Sequence, residues 1–227
     1  MPKWRSAQWN LSGSIPLLVA LVVLFFLESV TDHSRLIGVA YAAVLMVSAW
    51  TMSHDRRHLT GSLALVSIAL VARLIYEVSP GRGTILLSHG CGIAFLTWSA
   101  YFIFQRAGAA SGRVGKDRIA GAICVYLMMG VVGGTLASSV ETVHPGSFRF
   151  PDGSGADQAP YTMSRSSVFL YFSFVTLATL GYGDITPVTP LARTFSWMLA
   201  VVGQMYVAIV VARLVSLGFS SPGPPKE

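Results

Sequence analysis

Charge is scarce in this sequence. Of 227 residues only 11% are Asp, Glu, Lys or Arg, against 53% hydrophobic, and the mean hydropathy is +0.61. A soluble domain is about a quarter charged, so a water-soluble fold around one core is excluded and a membrane protein is expected. Cysteine is scarcer still. Cys91 and Cys124 both lie in apolar stretches, which leaves no disulfide framework and no zinc site, only two buried free thiols. Lys and Arg outnumber acids 16 to 10, yet no basic run is interleaved with aromatics. The densest cluster, Arg106, Arg113, Lys116 and Arg118, is spread along a Gly-rich linker, so nucleic acid is not an expected partner. Catalytic patterns are missing too: there is no Gly-x-Ser-x-Gly, no His-Glu-x-x-His and no pair of span-embedded aspartates. Neither enzymatic chemistry nor a cofactor is expected.

What the sequence does have is apolar runs. A helix needs about 20 residues to cross the hydrocarbon core of a bilayer, and six windows of about this length occur: Leu11 to Ser29, Leu36 to Ser53, Gly61 to Tyr76, Ile85 to Phe104, Ile119 to Ser138 and Leu191 to Phe219. The first follows Lys3 and Arg5 as a secretory signal would, but Glu28 to Arg35 offers no small-x-small cleavage site, so it reads as a retained helix. The alternate linkers differ in charge. Met1 to Asn10, Met52 to Thr60, Gln105 to Arg118 and Ser220 to Glu227 hold nine Lys or Arg, whereas Glu28 to Arg35, Glu77 to Thr84, Ser139 to Arg165 and Gly181 to Pro190 hold four. The positive-inside rule then puts both termini in the cytoplasm, as six crossings require.

Between the fifth and sixth windows the chain changes character twice. Ser139 to Tyr161 is rich in Gly, Pro and Asp and reads as an exposed loop. Arg165 to Ala178 is an apolar, aromatic run of 14 residues, too short to cross. A helix that stops at mid-depth is tolerated only where the backbone beyond it lines a protein cavity, so this segment is expected to be re-entrant.

It leads into Thr176-Leu177-Ala178-Thr179-Leu180-Gly181-Tyr182-Gly183-Asp184. That string resembles the potassium-channel selectivity filter, usually Thr-Val-Gly-Tyr-Gly-Asp between a pore helix and an inner helix. All three parts occur in order over about Tyr161 to Phe219. With four preceding spans the layout is similar to a bacterial six-transmembrane potassium channel subunit of the pore-loop superfamily. The resemblance implies an all-α membrane protein in a bacterial inner membrane: six transmembrane helices, a re-entrant pore helix and filter loop between helices 5 and 6, and a fourfold homotetramer surrounded by lipid. It implies a cytoplasmic N-terminus (1–10), a four-helix sensor-like domain (11–105), a cytoplasmic linker (106–118), a pore domain with an extracellular turret (119–219) and a short cytoplasmic tail (220–227).

The physical reading of the filter runs parallel to the resemblance. Desolvating a cation requires a ring of replacement oxygens, and Gly181 and Gly183 can adopt positive φ without a Cβ clash. Carbonyls of Thr179, Leu180, Gly181 and Tyr182, with the Thr179 hydroxyl below, then become candidate K+ ligands, the filter ending at Gly183; K+ is the permeant ion, not a cofactor. One chain gives one strand, so four copies are needed. By resemblance, Tyr171, Thr176 and Asp184 support the filter, with a Tyr171 to Asp184 hydrogen bond bracing it. Leu180, Ala178 and Val175 depart from the usual Val or Ile, Thr and Glu, and the last two remove polar atoms behind the filter. On the sixth span Gly203, Val207, Val211 and Leu214 share a helix face and are candidates for the cavity and gate, Gly203 where a hinge glycine is common; close packing is the ordinary use of a membrane glycine.

The fourth window, Ile85 to Phe104, has no Lys or Arg, and a voltage sensor needs several charges, each worth about 2.3 kcal/mol per 100 mV. Steep voltage gating is not expected. Arg73 and Glu77 sit four apart on one helix face and can pair. His89 reads as a neutral histidine bonded to a neighbouring helix, or else as a proton sensor. Two readings compete with a potassium-selective channel: a weakly selective cation channel, and a non-conducting membrane scaffold or accessory subunit.

Overall fold

The computed structural model describes residues 14–30, 42–48, 56–109, 116–150 and 164–219. Among them the chain is helical almost throughout: α1 (Ser14–Val30), α2 (residues 42–48), α3 (Arg56–Val78), α4 (Arg82–Ala109), α5 (Lys116–Val143), α6 (Ser164–Leu177) and α7 (Pro190–Phe219). Two strands of two residues each, β1 (Phe148–Arg149) and β2 (Thr186–Pro187), form an antiparallel pair. Among the described residues three helices are long and apolar enough to cross a membrane, over Arg82–Gln105, Ile119–Val143 and Pro190–Arg213. The apolar described parts of α1 and α6, Ser14–Leu24 and Ser167–Leu177, are shorter. Most of the second expected window lies outside the described residues, as do the terminal segments 1–10 and 220–227.

Helix boundaries follow local chemistry. Between α3 and α4 only residues 79–81 leave the helix, so the linker expected over Glu77 to Thr84 is a tight turn. Thr84 closes it, its hydroxyl accepting from the Gly81 amide at 3.0 Å and donating to the Ser79 carbonyl at 2.8 Å, a reciprocal use of first-turn groups. Helix α7 starts with Thr189 as its cap. The Thr189 hydroxyl accepts from the Ala192 amide at 3.3 Å and Pro190, with no amide proton to lose, takes the first helical position.

Helix α5 is the organiser. It packs against α1, α4, α6 and α7, while α3 packs on α4. Leu17 and Leu21 of α1, Leu45 of α2, Phe95 and Leu96 of α4, and Cys124 and Met128 of α5 are fully buried in one cluster. Half of the apolar window of α5 is buried, against 6% of that of α7. Both cysteines are free, Cys124 buried and Cys91 half-buried.

The loop expected to be exposed from Ser139 onward is a correction. Helix α5 runs on to Val143, and Glu141, Thr142, Ser147 and Phe148 are buried. The Glu141 carboxylate accounts for this: one oxygen accepts from the Gly146 amide at 2.8 Å, the other from the Phe148 amide at 3.1 Å. It thereby takes up backbone donors that burial would otherwise leave unpaired. Phe148 then wedges edge-on against Phe169 and Phe172 of α6, at 5.3 and 5.1 Å between ring centres, an arrangement the ring quadrupoles favour. Gly and Pro marked the turn in the sequence but carried no sign of its burial.

Candidate functional site

The site begins with how α6 is held. Its Ser173 hydroxyl donates to the Gly130 carbonyl of α5 at 2.7 Å. Gly134 lets the two backbones meet: a Cβ built there would stand 2.9 Å from Leu170 Cα and 3.1 Å from the Phe169 carbonyl oxygen. From the other side Gly203 of α7 is buried against the end of α6, where a Cβ would collide with the Leu177 carbonyl oxygen. Within this chain Gly203 is therefore a packing residue. Of the other cavity and gate candidates, Val207 and Val211 are exposed in the single chain and the Leu214 side chain lies outside the described residues.

Helix α6 ends abruptly. The Thr179 amide donates to the Thr176 carbonyl at 3.0 Å and the Leu180 amide to the Val175 carbonyl at 2.9 Å, the paired bonds of a Schellman motif. The motif requires a left-handed residue after the helix, usually glycine. Here it is Thr179, at φ 57°, the only non-glycine residue with positive φ among those described. Holding a non-glycine residue there costs about 1–2 kcal/mol. Thr176 contributes through its carbonyl, as one acceptor of this stop.

Beyond the stop, left-handed backbone returns at every second residue: Thr179 at 57°, Gly181 at 59° and Gly183 at 78°. Leu180 and Tyr182 between them do not have positive φ. In an ordinary strand successive carbonyls point to opposite sides. Reversing the sign of φ at alternate residues turns alternate peptides over, which lets a row of carbonyls fall on one side. The side chains here find little cover within one chain, Leu180 being 59% and Tyr182 67% exposed.

The row is pinned at both ends. At its C-terminal end the Tyr171 hydroxyl donates to Asp184 Oδ2 at 2.7 Å, and Asp184 Oδ1 accepts from the Ile185 amide at 2.9 Å. The Tyr171 bond, with a smaller contribution from the backbone amides, holds the Asp184 carboxyl below the usual carboxylate range. The next residues, Thr186 and Pro187, pair with Arg149 and Phe148, and the Val188 amide donates to the Ser147 carbonyl at 2.8 Å. The segment ordered by Glu141 thus holds the far side of the filter-like row. At its N-terminal end Gln204 of α7 donates from Nε2 to Thr179 Oγ1 at 3.0 Å. Sequence reasoning missed Gln204. The signal available was a lone amide beside glycine in the apolar run from Trp197 to Val211.

Away from this row, Arg73 and Glu77 form an ion pair at 2.9 Å with the guanidinium also over the Tyr76 ring. His89 Nδ1 lies 3.0 Å from the Ser139 hydroxyl of α5, the interhelix bond of its ordinary reading. Among the described residues no cluster of His, Cys, Asp and Glu could hold a metal ion.

One comparison with known proteins covers this region. Residues 121–219 match the profile of a family described as ion channel, which begins within α5, ends with α7 and leaves α1 to α4 outside. A 47-residue stretch is 51% identical to the Two pore potassium channel c of Oryza sativa subsp. japonica, and one of 47 residues is 45% identical to the Two-pore potassium channel 3 of Arabidopsis thaliana. Each covers 21% of this chain and spans only 10% and 11% of the respective plant proteins. With its long apolar helices, the chain is a multi-pass membrane protein whose second half is similar to ion channels.

Proposed function

We propose that this chain is one subunit of a potassium-selective channel, and that four copies enclose the pore. The observation that carries the reading is the alternation of left-handed backbone at Thr179, Gly181 and Gly183 within Thr-Leu-Gly-Tyr-Gly. Carbonyls of Thr179, Leu180, Gly181 and Tyr182, with the Thr179 hydroxyl, would replace the hydration shell of K+, and four strands are needed to close each ring. The exposure of Leu180, Tyr182 and most of α7 in one chain fits this, because those surfaces would face the neighbouring subunits, the pore or lipid. The C-terminal end of α6 points its partial negative charge toward where a cation would wait. The names of the plant relatives, both potassium channels, support potassium as the ion.

In this reading the chain crosses the membrane six times with both termini in the cytoplasm, and Tyr171 with Asp184 braces the filter's outer end. Conduction is passive, with no chemical step. Helix α4, without Lys or Arg from Ile85 to Phe104, would not supply a gating charge. Purified protein in a planar bilayer under a K+/Na+ gradient tests this. A reversal potential near that of K+ with weak voltage dependence is the expected result. Reversal near zero would reduce the protein to a weakly selective cation channel, and a protein that assembles but passes no ions at any voltage would be a scaffold or accessory subunit.

A further inference from the structure

The bond from Gln204 to Thr179 has no counterpart in the expectations drawn from the motif. Gln204 is the residue after Gly203, and the two act on consecutive parts of one chain turn. Gly203 lets α7 approach the Leu177 carbonyl, and that approach brings the Gln204 amide within 3.0 Å of the Thr179 hydroxyl. Thr179 is the strained residue of the site, β-branched and left-handed where glycine is usual. Its hydroxyl has one proton and two lone pairs. With one lone pair taken by the Gln204 N–H, the χ1 rotamer is fixed and the other lone pair is left for a cation.

We propose that Gln204 is a positioning residue that sets the ion affinity of the innermost coordination site by holding the Thr179 hydroxyl and its left-handed backbone. This rests on the channel reading above. It places specificity in a side chain of α7 outside the filter string, and it links the inner helix to the filter: a shift of α7 that moved Gln204 would release Thr179.

The test uses the full chain in planar bilayers with Ba2+ applied from the cytoplasmic side. Ba2+ is close to K+ in size but doubly charged, so it reports the innermost site by dwelling there. Gln204→Met keeps length and flexibility but removes the donor, and it should raise the half-blocking Ba2+ concentration by about three- to tenfold, the worth of one net hydrogen bond. Gln204→Asn, whose amide is one methylene too short to reach, should shift block in the same direction. Thr179→Val should weaken block more, and adding Gln204→Met to it should change nothing further, because the two residues act as one unit. A purely structural role for Gln204 would instead lower tetramer melting equally in both Thr179 backgrounds and leave Ba2+ block unchanged. Potassium-selective currents with wild-type block in both Gln204 variants, or additive effects in the double variant, would overturn the positioning role and leave the filter intact. Absence of potassium selectivity in the wild-type protein would overturn the channel reading itself, and this inference with it.

Discussion

Three exposed glycines of α3 and α4 and two buried helical glycines of the second half occupy different surroundings. Around Gly61, Gly83 and Gly90 a built Cβ meets nothing within 4 Å. Around Gly134 and Gly203 it meets backbone. The first group marks surface where helix packing makes no demand; the second marks the two places where α6 is gripped from opposite sides, by α5 and by α7. The second half thus holds α6 by close backbone approach and hydrogen bonds to carbonyls, whereas α1 to α4 are joined to α5 by a leucine-rich cluster and a few polar links such as His89 with Ser139. Position is specified finely where the backbone must end in an unusual conformation, and loosely elsewhere.

The largest effect should come from breaking that grip. Gly203→Ala and Gly134→Ala force a methyl into Leu177 and Leu170 backbone, and overpacking of this kind costs about 1–3 kcal/mol per chain, at the upper end where no side chain can swing away. The expected outcome is a marked fall in the thermal midpoint of the detergent-solubilised protein, with loss of ion flux in liposomes. Unchanged melting in both would show that α6 is not seated against these helices.

Next is Glu141→Gln. The carboxylate accepts two backbone bonds with its two oxygens, and an amide retains only one acceptor, so one buried amide loses its partner at about 1–3 kcal/mol. Melting should fall, and hydrogen exchange at Gly146 and Phe148 should rise before exchange in α5. Equal protection in the variant would mean that the turn is held by Phe148 packing alone.

Much of this was legible in the sequence, and the reasons are uneven. Helices α4, α5 and α7 were legible because a bilayer imposes a length. Gly181 and Gly183 were legible because positive φ has a residue type that signals it. Thr179 was not, since a threonine where glycine is usual gives no sign of left-handed backbone; only the Schellman bonds around it do. The grips at Gly134 and Gly203 were hidden because glycine is common in membrane helices, and what it touches depends on a partner far away in sequence. Strands of two residues are too short to carry a period, so β1 and β2 could not be foreseen, and with them went the burial of Glu141.

A smaller effect concerns acid. The Tyr171 bond holds Asp184 below the usual carboxylate range, so its contribution is present at neutral pH and is lost only as pH falls through that lowered value. Tyr171→Phe removes the main cause of the lowering, and loss should then begin at higher pH, nearer the ordinary carboxylate range. Potassium current recorded while the outer solution is acidified checks this, the variant failing first. If wild type and variant fail together, Asp184 is held by its other partner, the Ile185 amide.

The smallest expected effect sharpens the contrast between the two kinds of glycine. Gly90→Ala adds a methyl where nothing stands within 4 Å, and alanine favours a helix interior over glycine by up to about 1 kcal/mol. Within one chain the change should be neutral or slightly stabilising, with reversal potential and melting near those of the wild type. The same holds for Gly61 and Gly83. The proposed tetramer gives the comparison its edge, because open space on one chain becomes filled if a neighbouring subunit packs there. Loss of assembly in Gly90→Ala, with the single chain still helical by circular dichroism, would place that face of α4 at a seam between subunits. Intact assembly leaves it facing lipid, and the contrast between Gly90 and the gripping glycines Gly134 and Gly203 then holds in the assembly as it does in one chain.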